Sequence, residues 1–326
     1  MISASKLGKR YGDLTAVHGV TMDIARGEVV GLLGQNGAGK TTIMKMITGF
    51  IEPTTGRISI DGADVVDDRI EAQRRIGYLP ENAPLYPEMQ VQDYLLWMAA
   101  LRGIPAPEQQ GAVVRAARAT GLHGHMLRPI GQLSKGYRQR VGIAQAIVHQ
   151  PEVLIFDEPT NGLDPVQIES IRALIRDLAR TSTVLISTHI LQEVEAVCDR
   201  VLVLIDGRLV ADGPLDSLRA SRVVLLSVAA DAVDVPNRLA TLEGVVDVQH
   251  RGPDDGLPGF ALWAIHYDGP QPPTPAIVRA AAEAGWTVGA VAPERISLQA
   301  AFQRLQAEVA QEQRTVGALA QKGGRS

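Results

Sequence analysis

Short apolar runs alternate with helical patterns along the first two thirds of the chain. Residues 28–33, 153–156 and 183–187 are rich in β-branched and other apolar residues, which is typical of strands buried in a parallel sheet. After residue 164, apolar positions recur at three- and four-residue steps, which predicts a helix with one face on the sheet. This helix would bury Ile168, Ile171, Leu174, Ile175 and Leu178. The alternation predicts an α/β fold.

Two further patterns interrupt the α/β order. Residues 2–7 and 15–24 alternate in short pieces around a Tyr11-Gly12-Asp13 turn, which predicts antiparallel strands. Residues 91–102 and 109–120 suit two helices separated by a Gly- and Pro-containing breaker at 103–107. A helical insertion at about residues 84–140 is therefore predicted, and two ordinary crossover helices are the alternative.

The composition changes after Gly213-Pro214. The following patterns read strand, helix, strand, strand, helix, strand, which is the order of a split βαβ or ferredoxin-like module. A final helix carries an a/d-like seam that either pairs two subunits or covers the small sheet; its residues are Leu298, Phe302, Leu305 and Val309. The predicted domains are therefore residues 1–220, a small α+β domain at 221–293, and a helix with a disordered tail at 294–326, the tail beginning at Gln321.

Residues 34–42 read Gly-Gln-Asn-Gly-Ala-Gly-Lys-Thr-Thr, which fits G-x-x-x-x-G-K-[ST] between a predicted strand and a predicted helix. Glycines let backbone N–H groups turn around an oxyanion, and the helix start adds the positive end of its dipole. Lys40 would reach the β- and γ-phosphates, Thr41 would offer a hydroxyl to Mg²⁺, and Thr42 would support the phosphates. The alternative, a glycine-rich turn with an incidental lysine, does not explain the flanking strand and helix.

Charged and polar residues follow two of the apolar runs. Asp157 and Glu158 end one predicted strand and His189 follows another, at the edge where open α/β sheets bind their ligands. Asp157 is predicted to hold Mg²⁺ and Glu158 to orient and deprotonate water. His189 is either a γ-phosphate contact or a structural histidine, and Tyr11 is either a base-stacking ring or a half-buried turn aromatic.

Composition narrows the class of protein. The chain has 326 residues and a formal net charge of −4, which gives no electrostatic footprint for a nucleic-acid backbone. The single cysteine, Cys198, predicts a reducing compartment and a small buried hydrophobe rather than a disulfide. No apolar stretch approaches the roughly 20 residues that span a bilayer, so any membrane contact is expected through a partner.

Five motifs in order resemble the nucleotide-binding subunit of an ABC transporter. They are the phosphate loop, Leu133-Ser134-Lys135-Gly136-Tyr137, Asp157-Glu158, Asn161-Gly162-Leu163-Asp164 and His189. The resemblance covers about residues 1–220. It implies a P-loop NTPase with a RecA-like core, an antiparallel β subdomain and a helical subdomain, and two such domains that sandwich two ATP molecules head to tail.

The resemblance also implies roles for individual residues. The nucleotide would be bound by Tyr11, Gly34, Asn36, Gly37, Gly39, Lys40, Thr41 and Thr42. Mg²⁺ would be held by Thr41, Glu81 and Asp157, with Glu158 as the general base and His189 as the switch histidine. Ser134, Lys135 and Gly136 would contact the γ-phosphate across the dimer, and Asp164 would link the two sites.

Two residues depart from the family pattern. Glu81 stands where the family usually has Gln, and Lys135 stands where it usually has Gly. Glu81 still offers an oxygen to Mg²⁺, although it adds a negative charge near the γ-phosphate. We hypothesise that Lys135 offsets this charge across the dimer.

Three segments, Leu79-Pro80-Glu81-Asn82, residues 133–140 and residues 296–302, are similar to a subgroup of exporter ATPases. The subgroup includes drug-resistance-type, gliding-motility and nitrous-oxide-reductase-maturation ATPases. The resemblance implies a cytoplasmic homodimer that hydrolyses ATP with Mg²⁺ and drives a separate transmembrane permease of the exporter type at the inner face of the cell membrane. The partner's helices are expected in a groove near residues 81–88, with Leu85 and Tyr86 as contacts.

Two rival functions stay open from the residues. One is a soluble ABC ATPase that remodels ribosomes or DNA, although the chain shows neither a second ATPase domain nor a long coiled coil. The other is a nucleotide-dependent regulator that hydrolyses ATP weakly. Glu158 argues against this regulator, whereas Glu81 keeps it open.

Overall fold

The computed structural model describes residues 1–323. The chain divides into two compact units: Met1–Leu215 together with the residues from Arg304 onward, and Asp216–Gln303. The first division thus falls five residues before the predicted boundary at 220 (220 − 215). The three-part domain organisation itself stays a prediction.

The first unit contains ten strands and seven complete helices among its described residues. Its strands are β1 (Ile2–Tyr11), β2 (Leu14–Ile24), β3 (Val29–Leu33), β4 (Thr55–Ile60), β5 (Ala63–Asp64), β6 (Ile76–Leu79), β7 (Val153–Asp157), β8 (Thr183–Thr188), β9 (Arg200–Ile205) and β10 (Arg208–Pro214). Its helices are α1 (Lys40–Ile47), α2 (Arg69–Arg74), α3 (Val91–Leu101), α4 (Ala106–Ala119), α5 (Lys135–Ile147), α6 (Pro165–Leu178) and α7 (Leu191–Val197).

A six-stranded sheet in the order β10-β9-β3-β8-β7-β6 forms the centre of this unit. The strands from β9 to β6 pair in parallel, and β10 is antiparallel to β9. All residues of β3, β7 and β8 are buried, as expected for strands covered on both faces. The register pairs Leu33 with Thr188 and Asp157 with Ser187, so the C-terminal ends of these three strands lie together.

A second, antiparallel sheet has the order β2-β1-β4-β5. Its inward-facing residues share one core with α1 and the central sheet, which includes Ile2, Leu7, Ile43, Met44 and Ile155. The alternating pattern of the N-terminal residues therefore correctly predicts antiparallel strands.

The helices between β6 and β7 include one difference from the sequence prediction. The fourth helix, α4, begins at Ala106 rather than near 109, so Pro107 lies in its first turn instead of in the breaker. Proline is compatible with that position because the first N–H groups of a helix have no intrahelical acceptor. Residues 67–75, which the sequence indicates only as a polar segment, contain the short helix α2.

The second unit, described by itself, has the order β-α-β-β-α-β. Its elements are β11 (Ala220–Ala229), α9 (Val235–Ala240), β12 (Val245–Pro253), β13 (Phe260–Tyr267), α10 (Thr274–Glu283) and β14 (Val288–Arg295); α8 (Leu215–Leu218) precedes them. The antiparallel sheet has the order β12-β13-β11-β14, and Leu226, Leu239, Ile265 and Ile277 lie in its core. This is the element order of a split βαβ module, and membership of the ferredoxin-like class stays a prediction.

The last helix, α11 (Leu298–Gly323), carries the predicted seam. It continues past residue 321, where a disordered tail is expected, and residues 324–326 lie outside the described part of the chain. Leu298 is buried, and Phe302, Leu305 and Val309 are half-buried, while the surface that the seam covers stays a prediction. Within residues 1–323, no helix has the length and apolar character needed to cross a membrane.

Candidate functional site

The phosphate loop joins the end of β3 to the start of α1, as the sequence predicts. Gly37 and Gly39 have φ values of 84° and 100°, in the left-handed region that favours glycine. A Cβ at Gly34 would lie 2.6 Å from the carbonyl oxygen of Leu204, so a side chain there would clash with the backbone. Asn36 and Thr42 lie on the same loop and on the first turn of α1. The backbone therefore forms a tight concave loop in front of a helix N-terminus.

Lys40 is held at this loop. Its Nζ donates to the carbonyl oxygens of Gly34, at 2.8 Å, and Gln35, at 3.2 Å. The same Nζ lies 3.4 Å from Glu158 Oε1, and both side chains are almost fully buried. A buried ammonium paired with a buried carboxylate is costly to desolvate, so the pair is stable only because each charge compensates the other.

The end of β7 places Asp157 beside the start of α1. Its Oδ1 accepts hydrogen bonds from Ser187 Oγ and from Thr41 Oγ1, the latter at 3.5 Å. Burial raises the pKa of the Asp157 carboxyl above its ordinary value, against the opposing effect of these hydrogen bonds. Its Oδ2 is buried and has no hydrogen-bond partner among the residues that the structure describes. A buried carboxylate oxygen of this kind suits a cation.

The donor set at this position fits Mg²⁺ only in part. Carboxylate and hydroxyl oxygens from Asp157 and Thr41 are ligands that Mg²⁺ prefers. Within residues 1–323, however, no group of three His, Cys, Asp or Glu side chains is arranged to hold a metal. The residues therefore fit an ion that completes its coordination with phosphate oxygens and water, as Mg²⁺ does in phosphoryl-transfer sites.

Glu158 follows Asp157 in a strained conformation. Its φ is 49°, and its backbone N–H donates to Ser187 O at 3.1 Å, which fixes this turn. The turn directs the side chain between two cationic or polar groups: Oε1 faces Lys40, and Oε2 lies 2.8 Å from His189 Nδ1. The structure thus brings Lys40, Thr41, Asp157, Glu158 and His189 together at one edge of the central sheet.

The loop at 161–164 contacts Glu81 and Lys135, the two residues that depart from the family pattern. Glu81 is exposed, and its Oε1 accepts a hydrogen bond from Asn161 Nδ2 at 3.2 Å. Lys135 Nζ of the same protomer lies against Gly162, where the Cβ of any other residue would stand. Asp164 caps α6 by accepting a hydrogen bond from Gln167 N at 2.9 Å.

The remaining predicted site residues lie outside this cluster. Ser134 caps α5, and a Cβ at Gly136 would lie 2.6 Å from Gln167 Oε1. No hydrogen bond or ion pair among the described residues joins Ser134, Lys135 or Gly136 to Lys40 or Asp157. Tyr11 lies at the β1–β2 turn with its ring half exposed, and its role as a base-stacking residue stays a prediction.

Four buried polar residues of this region are missing from the sequence prediction: Thr160, Ser187, Thr188 and Glu193. Ser187 contacts both Asp157 and the backbone N–H of Glu158. Its position at the end of a predicted parallel strand was an available signal. Glu193 accepts hydrogen bonds from Thr160 and Thr188, and its spacing of four residues from His189 was its only sequence signal.

An aromatic groove of about 530 Å³ lies near the loop that follows β6. Tyr86 and Trp97 meet edge to face with ring centroids 5.2 Å apart, and Tyr94 lies beside both. Tyr86 and Trp97 are 45% and 40% exposed, so together they form a contiguous apolar surface of the kind that marks binding sites. Pro84 and Tyr86 line the groove, and the half-buried Leu85 is not among its lining residues.

A strand, glycine-rich loop and helix beside a buried acidic strand end define the class of P-loop nucleoside triphosphatases. Comparison with known proteins narrows the class. The family model of the ABC transporter matches residues 17–161. The chain is 39% identical over 227 residues to ABC transporter ATP-binding protein NatA of Bacillus subtilis, which covers 68% of this chain and 92% of that protein. The chain belongs to the ABC transporter ATP-binding proteins.

Two further relatives add detail. Nod factor export ATP-binding protein I of Burkholderia orbicola is 38% identical over 219 residues, covering 66% of this chain and 71% of that protein. The dimeric, post-hydrolysis structure of the ATP-binding cassette MJ0796 with ADP and Pi is 26% identical with a TM-score of 0.60, covering 66% of this chain and 99% of that one. The predicted P-loop NTPase fold and the ATPase activity are thereby confirmed, and the transporter subunit is favoured over the rival functions.

Proposed function

We propose that two copies of this ATPase bind Mg²⁺ and ATP between them and power a separate transmembrane permease of the exporter type. The observation that carries the proposal is the position of the Glu158 carboxylate between Lys40 and His189. The name of the Nod factor export relative supports the exporter direction. The place of action would be the inner face of the cell membrane, reached only through the permease.

The chemistry follows from the cluster at the sheet edge. Lys40 binds the β- and γ-phosphates, while the loop N–H groups and Thr42 support them. Glu158 accepts the proton of the attacking water, and the nearby His189 keeps the carboxylate oriented and contacts the γ-phosphate. Because Lys40 and His189 both face the carboxylate, Glu158 is held in place before the nucleotide binds.

Thr41 and Asp157 are the residues that would hold Mg²⁺, with Glu81 at the exposed rim as a third ligand. The ion supplies electrostatic stabilisation of the charge on the transferred phosphoryl group. The unpartnered Oδ2 of Asp157 supports this assignment because it is the one oxygen of that carboxylate without a donor among the described residues.

In the proposed dimer, residues that lie outside the cluster would contact the nucleotide of the partner copy. Ser134 and Gly136 stand at the N-terminus of α5, whose positive dipole end suits a phosphate. If they contact the γ-phosphate of the partner's ATP, loss of that phosphate removes the bridge between copies. Asp164 would then link the two sites.

Light scattering tests the dimer. Glu158→Gln should accumulate as an ATP-bound dimer, because it binds ATP without the base that cleaves it, whereas the wild type should return to monomer as ATP is consumed. Glu195→Gln, an exposed carboxylate elsewhere in the unit, is the control. A Glu158→Gln variant that stays monomeric with ATP and the purified permease would contradict the sandwich.

The aromatic groove is the proposed docking site for the permease. Its rings remain exposed although they pack on each other, which fits an apolar helix of a partner. Tyr86→Ala and Trp97→Ala should weaken recruitment to permease-containing membranes without changing the turnover of the isolated ATPase. Leu127→Ala changes an exposed apolar side chain that does not line the groove, and it should leave recruitment unchanged. Equal recruitment of all three variants would exclude the groove.

A further inference from the structure

Glu193 on α7 is a buried carboxylate that the proposed chemistry does not use. Only 5% of the residue is exposed. Its Oε1 accepts a hydrogen bond from Thr160 Oγ1, and its Oε2 accepts one from Thr188 Oγ1 at 2.6 Å. Each oxygen of one carboxylate therefore contacts a different segment of the chain.

The two threonines stand directly before the two loops that carry predicted switch residues. Thr160 precedes the loop at 161–164, and its carbonyl oxygen accepts from Leu163 N at 3.1 Å. Thr188 is the last residue of β8 and precedes His189; its Oγ1 also accepts from Ile190 N at 3.0 Å. Glu193 is therefore joined to the base of each loop by one short side chain.

Burying the Glu193 carboxylate costs desolvation free energy, which indicates that the residue has a role other than stabilising the fold. Burial raises the pKa of Glu193 above its ordinary value, and repulsion from Glu158 acts in the same direction, while Arg172 opposes it. An apolar side chain packed at this position would avoid the desolvation cost. What an apolar residue cannot do is accept hydrogen bonds from Thr160 and Thr188 at the same time.

We propose that Glu193 is a positioning residue that couples the loop at 161–164 to His189 within one protomer. The coupling rests on the roles proposed above for Asp164 and His189. When the loop shifts on contact with the second copy, the shift reaches Thr188 through Thr160 and Glu193, and His189 moves with it relative to Glu158. Hydrolysis then starts only when the loop is in its dimer position.

This arrangement predicts a defect in turnover rather than in ATP binding. The hydrogen bonds of the Glu193 carboxylate go to Thr160 and Thr188 and not to the phosphate loop, so its loss should leave the KM for ATP within about twofold, whereas kcat should fall by about tenfold or more. Glu193→Gln should retain part of kcat because the amide oxygen still accepts one of the two hydrogen bonds. Glu193→Ala should lose both.

The decisive test is a set of paired substitutions. Thr160→Val and Thr188→Val, singly and together, are assayed in the wild type and in Glu193→Ala. If Glu193 is the link, each valine lowers kcat and the double variant is no slower than the slower single variant. In Glu193→Ala, Thr160→Val then has no effect, whereas Thr188→Val keeps only the effect of its lost contact with Ile190 N. Thermal unfolding is measured for every variant, and Glu195→Gln is the exposed control on the same helix.

Hydrogen exchange gives a readout that does not depend on activity. In Glu193→Ala, the amides at 161–164 and at 188–190 should exchange faster together, while those of α1 stay protected. Faster exchange at only one loop, or at neither, overturns the coupling. Multiplicative effects of the two valines overturn it as well. If Glu158→Gln and His189→Ala abolish turnover while the Glu193 variants remain fully active, the proposed function stands and only this inference fails.

Discussion

Among the described residues, the first unit buries four charged side chains, whereas the second unit buries none. The four are Lys40, Asp157, Glu158 and Glu193; the buried polar residues of the second unit are Ser221 and Ser227. Both units also have apolar cores. Because buried charges oppose folding unless they are paired, their concentration in one unit marks where function is built at the expense of stability. The described interior of the second unit consists of apolar side chains and two serines, which is typical of a core that serves packing.

The largest effect that tests this difference between the two units is a loss of ATP turnover, and it is expected at Lys40. Lys40→Ala should lower ATP turnover by about 10³-fold, roughly 4 kcal/mol, because it removes the charge that binds the phosphates. The free energy of unfolding should also fall, by about 3 kcal/mol, because the buried Glu158 carboxylate loses the charge that compensates it and keeps only its contact with His189. Steady-state turnover and chemical denaturation measure both quantities, with Arg74→Ala as an exposed-cation control. A variant that retains turnover would break the comparison.

The opposite behaviour is expected in the second unit. Leu226 is fully buried in its core, so Leu226→Ala should destabilise that unit by about 3 kcal/mol through lost burial and a residual cavity. The KM for ATP should stay unchanged. Unfolding followed by denaturant and steady-state kinetics give the two values, and Val233→Ala, 76% exposed, is the matched control. Loss of ATP binding with unchanged stability would be evidence against a purely structural core.

An intermediate effect is expected at His149, a titratable residue of the first unit that lies outside the proposed site. Burial, together with the positive charge of Arg102, lowers the pKa of His149 from 6.5 to about 4, against the opposing effect of the contact between its Nε2 and Ile76 O at 3.1 Å. The unfolded chain therefore takes up the proton first, so the advantage of the folded state is complete above pH 6.5 and declines as the pH falls toward 4.

Between pH 7 and pH 5 this decline amounts to about 2 kcal/mol. His149→Gln keeps a donor near Ile76 without the titration, so its stability should fall by about 2 kcal/mol less than that of the wild type over this range. Denaturation at the two pH values measures the difference, and His123→Gln, at an exposed position, controls for general histidine effects. Identical pH dependence of His149→Gln and wild type would refute the assignment.

The smallest effect is expected at a surface ion pair of the second unit. Arg222 and Asp268 form a salt bridge, and their side chains are 70% and 74% exposed. Arg222→Ala should change the free energy of unfolding by less than about 0.5 kcal/mol, because solvent and salt screen exposed pairs. Chemical denaturation of Arg222→Ala and Leu226→Ala under the same conditions compares their losses in the free energy of unfolding. A loss as large as that of Leu226→Ala would contradict packing as the main source of stability in this unit.

The sequence predicts the parts of the site that are local in the chain. The phosphate loop is one continuous segment, and Asp157 and Glu158 end a recognisable strand, so their positions follow from pattern and spacing. Glu193 is different, because Thr188 ends β8 whereas Thr160 lies in the turn three residues beyond the end of β7 (160 − 157), and these two strand ends meet only through the register of the sheet. A single sequence contains no signal for that register.

Two smaller details also depend on the three-dimensional context. The groove was predicted near residues 81–88, yet which residues of that loop face it depends on α3, whose rings Tyr94 and Trp97 complete the lining. Tyr86 faces the groove, and Leu85 is not among its lining residues. Pro107 reads as a breaker from composition alone, although the first turn of a helix accepts it.

The contacts of Glu81 and Lys135 have a consequence for how related chains vary. The two residues touch neighbours in one loop, Glu81 through the Asn161 side chain and Lys135 at Gly162. A mutation at either position should change the surroundings of the other residue, because both residues contact the segment 161–162. Positions 81, 135, 161 and 162 should therefore change together during evolution, although the first two are far apart in the chain.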